Sequence, residues 1–267
     1  MLEKTHYHGT PLLVARDVRG LDGITVAFSA RPGGVSTGEY RGLNVSYNVG
    51  DEAGRVGANR KLLAEALGVD VDGWVLGRQV HGSTVAHVGP MERGRGGRDH
   101  WSGLPRCDGL VTSTPGIALG VLTADCLPLL LVSPGTRSVA AIHAGWRGTL
   151  AGIGARGLAG LARWSGAEPA DVLAFIGPHI MACCLVVRLD VAEAFRRKFG
   201  DEVVDSDGGG AFRLDLAKAC AKQLESEGAD PAKIYYSDEC TCCGRDYFSY
   251  RASGGITGRQ AAIVYMD

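Results

Sequence analysis

Three short segments put side chains capable of nucleophilic, acid–base or metal chemistry beside glycines. Gly77-Arg78-Gln79-Val80-His81-Gly82 is a glycine-bounded polar turn after a short strand-like run. In Gly120-Val121-Leu122-Thr123-Ala124-Asp125-Cys126-Leu127-Pro128 an apolar run ends in Thr, Asp and Cys, and Pro128 disfavours a helical conformation just before it. In Ala140–Thr149 an apolar run ends in His143 and opens through Gly145 and Gly148 towards a helix. Cys126 and His143 therefore both stand where strands end, a position that faces ligand crevices in α/β proteins.

His81, Cys126 and His143 offer two imidazoles and a thiolate. That donor set suits a Zn²⁺ site with its fourth position open, as in catalytic zinc centres. A metal there would keep Cys126 ionised and lower the pKa of a bound water. The three residues lie 45 and 17 positions apart, so no compact motif supports the site. A buried thiol and two structural histidines would account for the same residues. Asp125 is a candidate general acid or base. On a regular strand it would face away from Cys126, but the break before Pro128 allows a shared pocket. Arg147 precedes a helix expected to start at Thr149 as N-cap. Exposed N–H groups and a guanidinium fork there would hold a phosphate or carboxylate. The plainer alternative is a surface Arg147 beside a core Trp146. His6, His8, His87, His100 and His179 have no obvious partners and are expected to be surface or structural residues.

The eight cysteines include two clusters. Cys240-Thr241-Cys242-Cys243 resembles half of a zinc knuckle, which needs a second pair of ligands. Cys183-Cys184 is the available pair, but adjacent cysteines rarely share one tetrahedral ion. Packing is the expected role of both clusters.

The elements that must position these residues are short. Strand-like runs are expected at Ile24–Phe28, Val75–Leu76, Val85–Val88, Gly109–Thr112, Ile117–Leu122, Leu127–Val132, Val139–Ile142, Val172–Ile176 and Ala261–Tyr265. Helices are expected at Ala58–Leu67, Thr149–Trp164, Asp190–Phe199 and Leu214–Gly228, the last capped by its glycine. Met91–Gly103 and Asp205–Ala211 read as loops. Strands and helices mix without a regular βαβ rhythm, which predicts an α+β fold, and no linker divides residues 1–267, which predicts one domain. No P-loop sequence supports a nucleoside triphosphate site.

Composition narrows the function classes. The 267 residues are 45% hydrophobic and 21% charged, the profile of an ordinary globule. The net charge of -1 provides no general field for nucleic acid. No apolar run is long enough to span a bilayer, and the first residues lack a signal-peptide core. Cysteines without such a signal point to reduced thiols and a cytoplasmic location.

Ordered motifs along nearly the whole chain resemble one known family. They begin with Ala27-Phe28-Ser29, Arg31, Gly33-Gly34-Val35-Ser36, Leu43-Asn44, Val49-Gly50-Asp51 and Asn59-Arg60. The centre carries Gln79-Val80-His81-Gly82, Cys107-Asp108-Gly109-Leu110-Val111-Thr112, Thr123–Pro128 and His143–Gly148. The end carries Ile176-Gly177-Pro178, Cys240-Thr241, Cys243, Phe248-Ser249-Tyr250-Arg251 and Thr257-Gly258-Arg259-Gln260. The chain resembles the YfiH, or laccase-domain, family, formerly called polyphenol oxidases. The resemblance implies a four-layer αββα arrangement with mixed sheets. It implies a purine nucleoside phosphorylase acting on adenosine, inosine, guanosine and methylthioadenosine, with adenosine deaminase activity. Zinc is implied on His81, Cys126 and His143, and purine nucleosides and phosphate as partners, with neither nucleic acid nor membrane. Cys126, His143, His81 and Asp125 are then the expected catalytic residues, and Arg147, Gln79, Arg31 and Asn44 the expected substrate-binding ones. One departure stands out. The family pattern has Cys-Tyr-Glu-Val where this chain reads Cys184-Leu185-Val186-Val187.

Other readings use the same residues. A four-copper laccase needs more histidines than the seven present, largely as His-x-His pairs, and only His6 and His8 are so spaced. A Cys–His site can still take up copper in vitro and give polyphenol oxidase activity. Cys126 as nucleophile with His143 or His81 as base would make a cysteine hydrolase. A zinc-binding module without catalysis is the non-enzymatic alternative.

Overall fold

The apolar runs of the sequence build two six-stranded sheets whose strands interleave along the chain. The computed structural model describes residues 2–7, 9–16, 18, 20–206 and 210–267. His8 and the centre of the expected loop at 205–211 (residues 207–209) lie outside the described residues. In chain order the strands are β1 (Leu2–Tyr7), β2 (Thr10–Ala15), β3 (Ile24–Ser29), β4 (Trp74–Leu76), β5 (Val85–His87), β6 (Gly109–Thr112), β7 (Ala118–Thr123) and β8 (Leu127–Ser133). They continue as β9 (Ser138–Ala144), β10 (Leu173–Ile176), β11 (Val186–Val187), β12 (Val204–Ser206), β13 (Phe212–Leu214), β14 (Ile234–Tyr236) and β15 (Gln260–Met266). The α-helices are α1 (Ala53–Leu67), α2 (Trp146–Leu150), α3 (Ile153–Ser165), α4 (Leu189–Phe199) and α5 (Leu216–Ser226).

The first sheet has the order β1-β2-β3-β15-β7-β4 and the second β14-β10-β8-β9-β6-β5. Most neighbours are antiparallel, while β4–β7, β5–β6 and β10–β14 are parallel. Both sheets are therefore mixed. A small third sheet, β11-β13-β12, lies at the periphery.

Three apolar cores separate four layers, because side chains alternate across each strand. In β15, Ala262, Val264 and Met266 enter the core between the two sheets, with Val26 and Phe28 of β3 and Leu130 and Val132 of β8. The alternate residues Ala261, Ile263 and Tyr265 face α1 through Leu63, Ala64 and Leu67. On the far side, Leu127, Leu129 and Leu131 of β8 meet α3, α4 and α5 through Leu158, Phe195 and Leu224. This is the αββα arrangement implied by the resemblance.

Strands buried on both faces read as continuous apolar runs, and all nine runs expected from the sequence fall within a residue or two of observed strands. The peripheral strands β1 and β11–β14 are short or half-exposed and carry no such run, whereas β2 is largely buried and its apolar run Leu12–Ala15 is absent from the expected strands. The expected helix Thr149–Trp164 is two helices. Gly152 has φ +86° and ends the first, so α2 starts at Trp146 and α3 at Ile153. Thr149 is accordingly no N-cap: it is buried in α2, and its hydroxyl donates to the Gly145 carbonyl at 3.1 Å. α5 ends at Ser226, short of the expected capping Gly228. Gly228 has φ +92°, in the turn that follows.

Candidate active site

β7 belongs to the first sheet and β8 to the second, so residues 124–126 carry the chain from one sheet to the other. This crossing is sharp: Asp125 has φ +91°, left-handed for a non-glycine residue. Since β8 and β9 are antiparallel, the start of β8 and the end of β9 lie on one rim, and Pro128 pairs with His143. The turn after β4 reaches the same rim. Gln79 pins it there, its amide nitrogen donating to the Leu122 carbonyl at 2.8 Å and its oxygen accepting from the Leu122 N–H at 2.9 Å.

The ligand atoms of His81, Cys126 and His143 all lie within 4.8 Å of one another. His143 is buried, Cys126 half-buried and His81 exposed. The two imidazoles meet edge to face with centroids 4.9 Å apart. Asp108 organises both. One of its carboxylate oxygens accepts from His143 Nδ1 at 2.8 Å and from the His81 N–H at 2.9 Å. The other accepts from the N–H groups of Val80 and Gly82. With Nδ1 taken, His143 is left with Nε2 for further bonding, the usual orientation of a carboxylate-backed histidine ligand. Gly145 completes the packing, since a Cβ there would lie 2.9 Å from the His81 ring and 3.2 Å from the Cys126 sulfur.

These contacts set the charge state. Burial pushes the Cys126 thiol up, but His143 and His81 outweigh it and bring the thiol down to about 6. Burial likewise pushes His143 down, yet the Cys126 thiolate and Asp108 raise it to about 9. Burial would raise Asp108 too, but His143 and the main-chain N–H donors hold its carboxyl below the usual range. A sulfur and two ring nitrogens converging with a carboxylate behind one ring fit a zinc or copper ion. The second metal-like group, the four-cysteine cluster, shares no residue with this one.

A cavity of about 520 Å³ opens over these groups. Among the expected site residues, His81, Cys126, His143, Asp125, Gln79 and Arg147 line it. Arg147 is exposed and stacks on Trp146, with its guanidinium carbon 4.3 Å from the ring centroid. Among the described residues no carboxylate or carbonyl occupies it. Asp125 is engaged on both oxygens, by the Thr241 hydroxyl at 2.7 Å and by the Arg251 N–H at 2.7 Å.

Two expected substrate residues are elsewhere. Arg31 is outside the cavity lining: its Nε donates to the Arg41 carbonyl, and its guanidinium lies over Phe248. Asn44 is fully buried and holds Ser46 and Asp51, and its oxygen accepts from the Arg259 N–H. It supports the wall instead of forming it.

Several wall residues escaped the sequence reading. His100 lines the cavity, brought there by the Met91–Gly103 segment. That segment is no free excursion, because the buried Arg60 guanidinium donates to the carbonyls of Gly96 and Gly97. His179 is buried, with Nδ1 donating to the Gly177 carbonyl at 2.9 Å. Tyr250, Arg251 and Arg259 also line the cavity. Asp108 was the most consequential omission. Its signal is an acid placed directly before an apolar strand, where burial demands partners.

Comparison with known proteins gives consistent results. The family model described as multi-copper polyphenol oxidoreductase laccase matches residues 25–267. The chain is 38% identical over 257 residues to a purine nucleoside phosphorylase of Deinococcus radiodurans, covering 96% of this chain and 93% of that protein. It is 36% identical over 256 residues to adenosine deaminase RL5 from an unknown prokaryotic organism, covering 94% and 96%. The crystal structure of YlmD from Geobacillus stearothermophilus superposes with a TM-score of 0.92 at 32% identity, covering 99% of this chain and 97% of that one.

Proposed function

The chain belongs to the laccase/YfiH family of enzymes, and on that premise we propose that it is a zinc-dependent purine nucleoside phosphorylase with adenosine deaminase activity. The observation that supports this most is one cavity joining the His81–Cys126–His143 group to the unpaired Arg147 guanidinium. Phosphorolysis requires a phosphate held beside the sugar, attack of its oxygen on C1′, and departure of the purine as the C1′–N9 bond breaks. Arg147 is placed to clamp the phosphate, and Trp146 stiffens its side chain by stacking. The cavity volume suits a nucleoside, which makes adenosine, inosine, guanosine and methylthioadenosine the substrates to test.

His81, Cys126 and His143 would hold zinc, which when bound supplies Lewis-acid polarisation at an open coordination position. Asp108 keeps His143 oriented and the His81 turn in place. With both oxygens engaged, Asp125 is assigned a positioning role, tying Thr241 and Arg251 to the crossing, in place of the expected acid–base role. Leu185 and Val186 stand where the family pattern has Tyr and Glu. Leu185 lines the cavity and Val186 is exposed on β11, so this segment contributes an apolar wall and no carboxylate.

One other reading has an observation of its own. Cys126, His143 and Asp108 form a thiol–imidazole–carboxylate relay, the layout of a cysteine nucleophile with its base and orienting acid. The second imidazole, His81, has no task in such a relay but is a natural third ligand. Metal analysis separates the two, because a metal-held thiolate is not free to attack. The deciding experiment is a nucleoside panel with and without phosphate, followed by chromatography on protein of known metal content. Free purine and pentose 1-phosphate that form only with phosphate support the proposal. Phosphate-independent products other than the deaminated nucleoside, or none at all, overturn it. No helix among the described residues is long and apolar enough to cross a membrane.

A further inference from the structure

Outside the cavity, four cysteine sulfurs converge at the edge of the molecule. Cys183 Sγ is 3.5 Å from Cys240 Sγ and 3.4 Å from Cys243 Sγ, and Cys184 Sγ is 3.1 Å from Cys243 Sγ. All four sulfurs lie within 4.8 Å of one another. We propose that Cys183, Cys184, Cys240 and Cys243 form a second metal centre, a structural four-thiolate zinc site.

Four sulfurs about 2.3 Å from a tetrahedral zinc are separated by roughly 3.8 Å, close to the spacings observed. A disulfide would need about 2.05 Å between two of them and would leave the other two without a role. Backbone geometry explains how adjacent cysteines can serve one ion. Cys183 and Cys184 sit on a turn, not a strand, with the N–H groups of Cys184 and Leu185 both bonded to the Met181 carbonyl. Both sulfurs can then face the same side. Cys240 and Cys243 have knuckle spacing, and the Gly244 N–H closes their turn on the Cys240 carbonyl at 3.2 Å. The two turns are joined through His179, whose carbonyl accepts from the Thr241 N–H at 3.0 Å. Cys242, between the ligands, packs against the outer helical core instead.

The surroundings suit a centre of net charge −2, formed when zinc displaces the four thiol protons. Arg213 donates to the Cys183 carbonyl at 2.7 Å, and Arg251 donates to the Cys184 carbonyl at 3.0 Å. Four protein ligands leave no open position, so the centre is structural. Its place gives that a purpose. Leu185, next to one pair, and Arg251, bonded to that pair's backbone, line the cavity, and Thr241 holds Asp125. Zinc here would fix the part of the cavity wall that carries Leu185 and Arg251.

The test is metal stoichiometry on the full chain, purified under reducing conditions without added metal. The expected content is about two zinc ions per chain, falling to about one in a Cys126→Ala, His143→Ala variant and to about one in a Cys183→Ser, Cys243→Ser variant. Cobalt substitution of the Cys126→Ala, His143→Ala variant should give the intense sulfur-to-metal absorption of a four-thiolate site. Loss of all metal from that variant would overturn the proposal. So would a Cys184–Cys243 disulfide, found by intact mass in freshly purified wild-type protein carrying one zinc. Should the serine variant fail to fold, the wild-type stoichiometry and the cobalt spectrum still decide.

Discussion

Asp108 illustrates how much of this site depends on a buried residue that does not line the cavity. A single carboxylate fixes the His143 ring, the His81 backbone and the two N–H groups on either side of His81. Asp108→Asn keeps the volume but replaces an anionic acceptor with a half-donating amide. Zinc affinity at the His81–Cys126–His143 group should fall about 10- to 100-fold, measured by competition with a chromophoric chelator. Unchanged affinity would mean that packing alone orients His143. Arg147 supports a different expectation. Arg147→Ala should lower phosphorolysis by about 2–4 kcal/mol of transition-state stabilisation, or roughly 30- to 1000-fold, with zinc content unchanged. Arg147→Lys should restore only part, since an ammonium keeps the charge but loses the planar fork. Deamination consumes no phosphate and should suffer less. Equal loss of both activities would make Arg147 a general binding residue.

At the scale of elements, what the sequence made legible follows burial. Strands such as β7, β8 and β9 are covered on both faces, so their residues are apolar in succession and their bounds stand out. β1 and β12 expose most of their side chains, and short pieces like β11 and β14 exist only because a neighbour pairs with them. The site followed the same logic. His81, Cys126 and His143 were legible because polar residues closing apolar runs collect on a rim, whereas the four cysteines meet through two turns that no periodicity announces. Asn44 and Arg31 show the opposite error, since motif membership marked residues that support the wall or stand apart from it. The helix expected as Thr149–Trp164 failed at Gly152, whose left-handed φ is invisible in a run otherwise suited to a helix. Gly152→Ala should therefore cost about 1–2 kcal/mol without lengthening α2 into α3, measured by urea unfolding and circular dichroism. A variant that gained helix and stability would show that the break is a compromise and not a requirement of the packing beneath it.

At the scale of the molecule, the two sheets cannot be separated into independent units by any cut in the chain. β7 leads directly through Cys126 into β8, and β8 itself belongs to two cores. Leu130 points into the core between the sheets and Leu131 into the core under α3–α5, both with 0% of their surface exposed. Loosening either face of β8 therefore disturbs the other, and with it the rim where Cys126 and His143 sit. Leu130→Ala and Leu131→Ala should each destabilise by about 2–5 kcal/mol, the range for truncating a buried leucine. Both variants should still unfold in one transition with an unchanged dependence on denaturant, seen alike by tryptophan fluorescence and far-ultraviolet circular dichroism. A Leu131→Ala variant that lost its helical signal before its fluorescence would divide the helical layer from the sheets. Residues 1–267 would then fold as more than one unit, and the active-site rim would lie on the boundary between them.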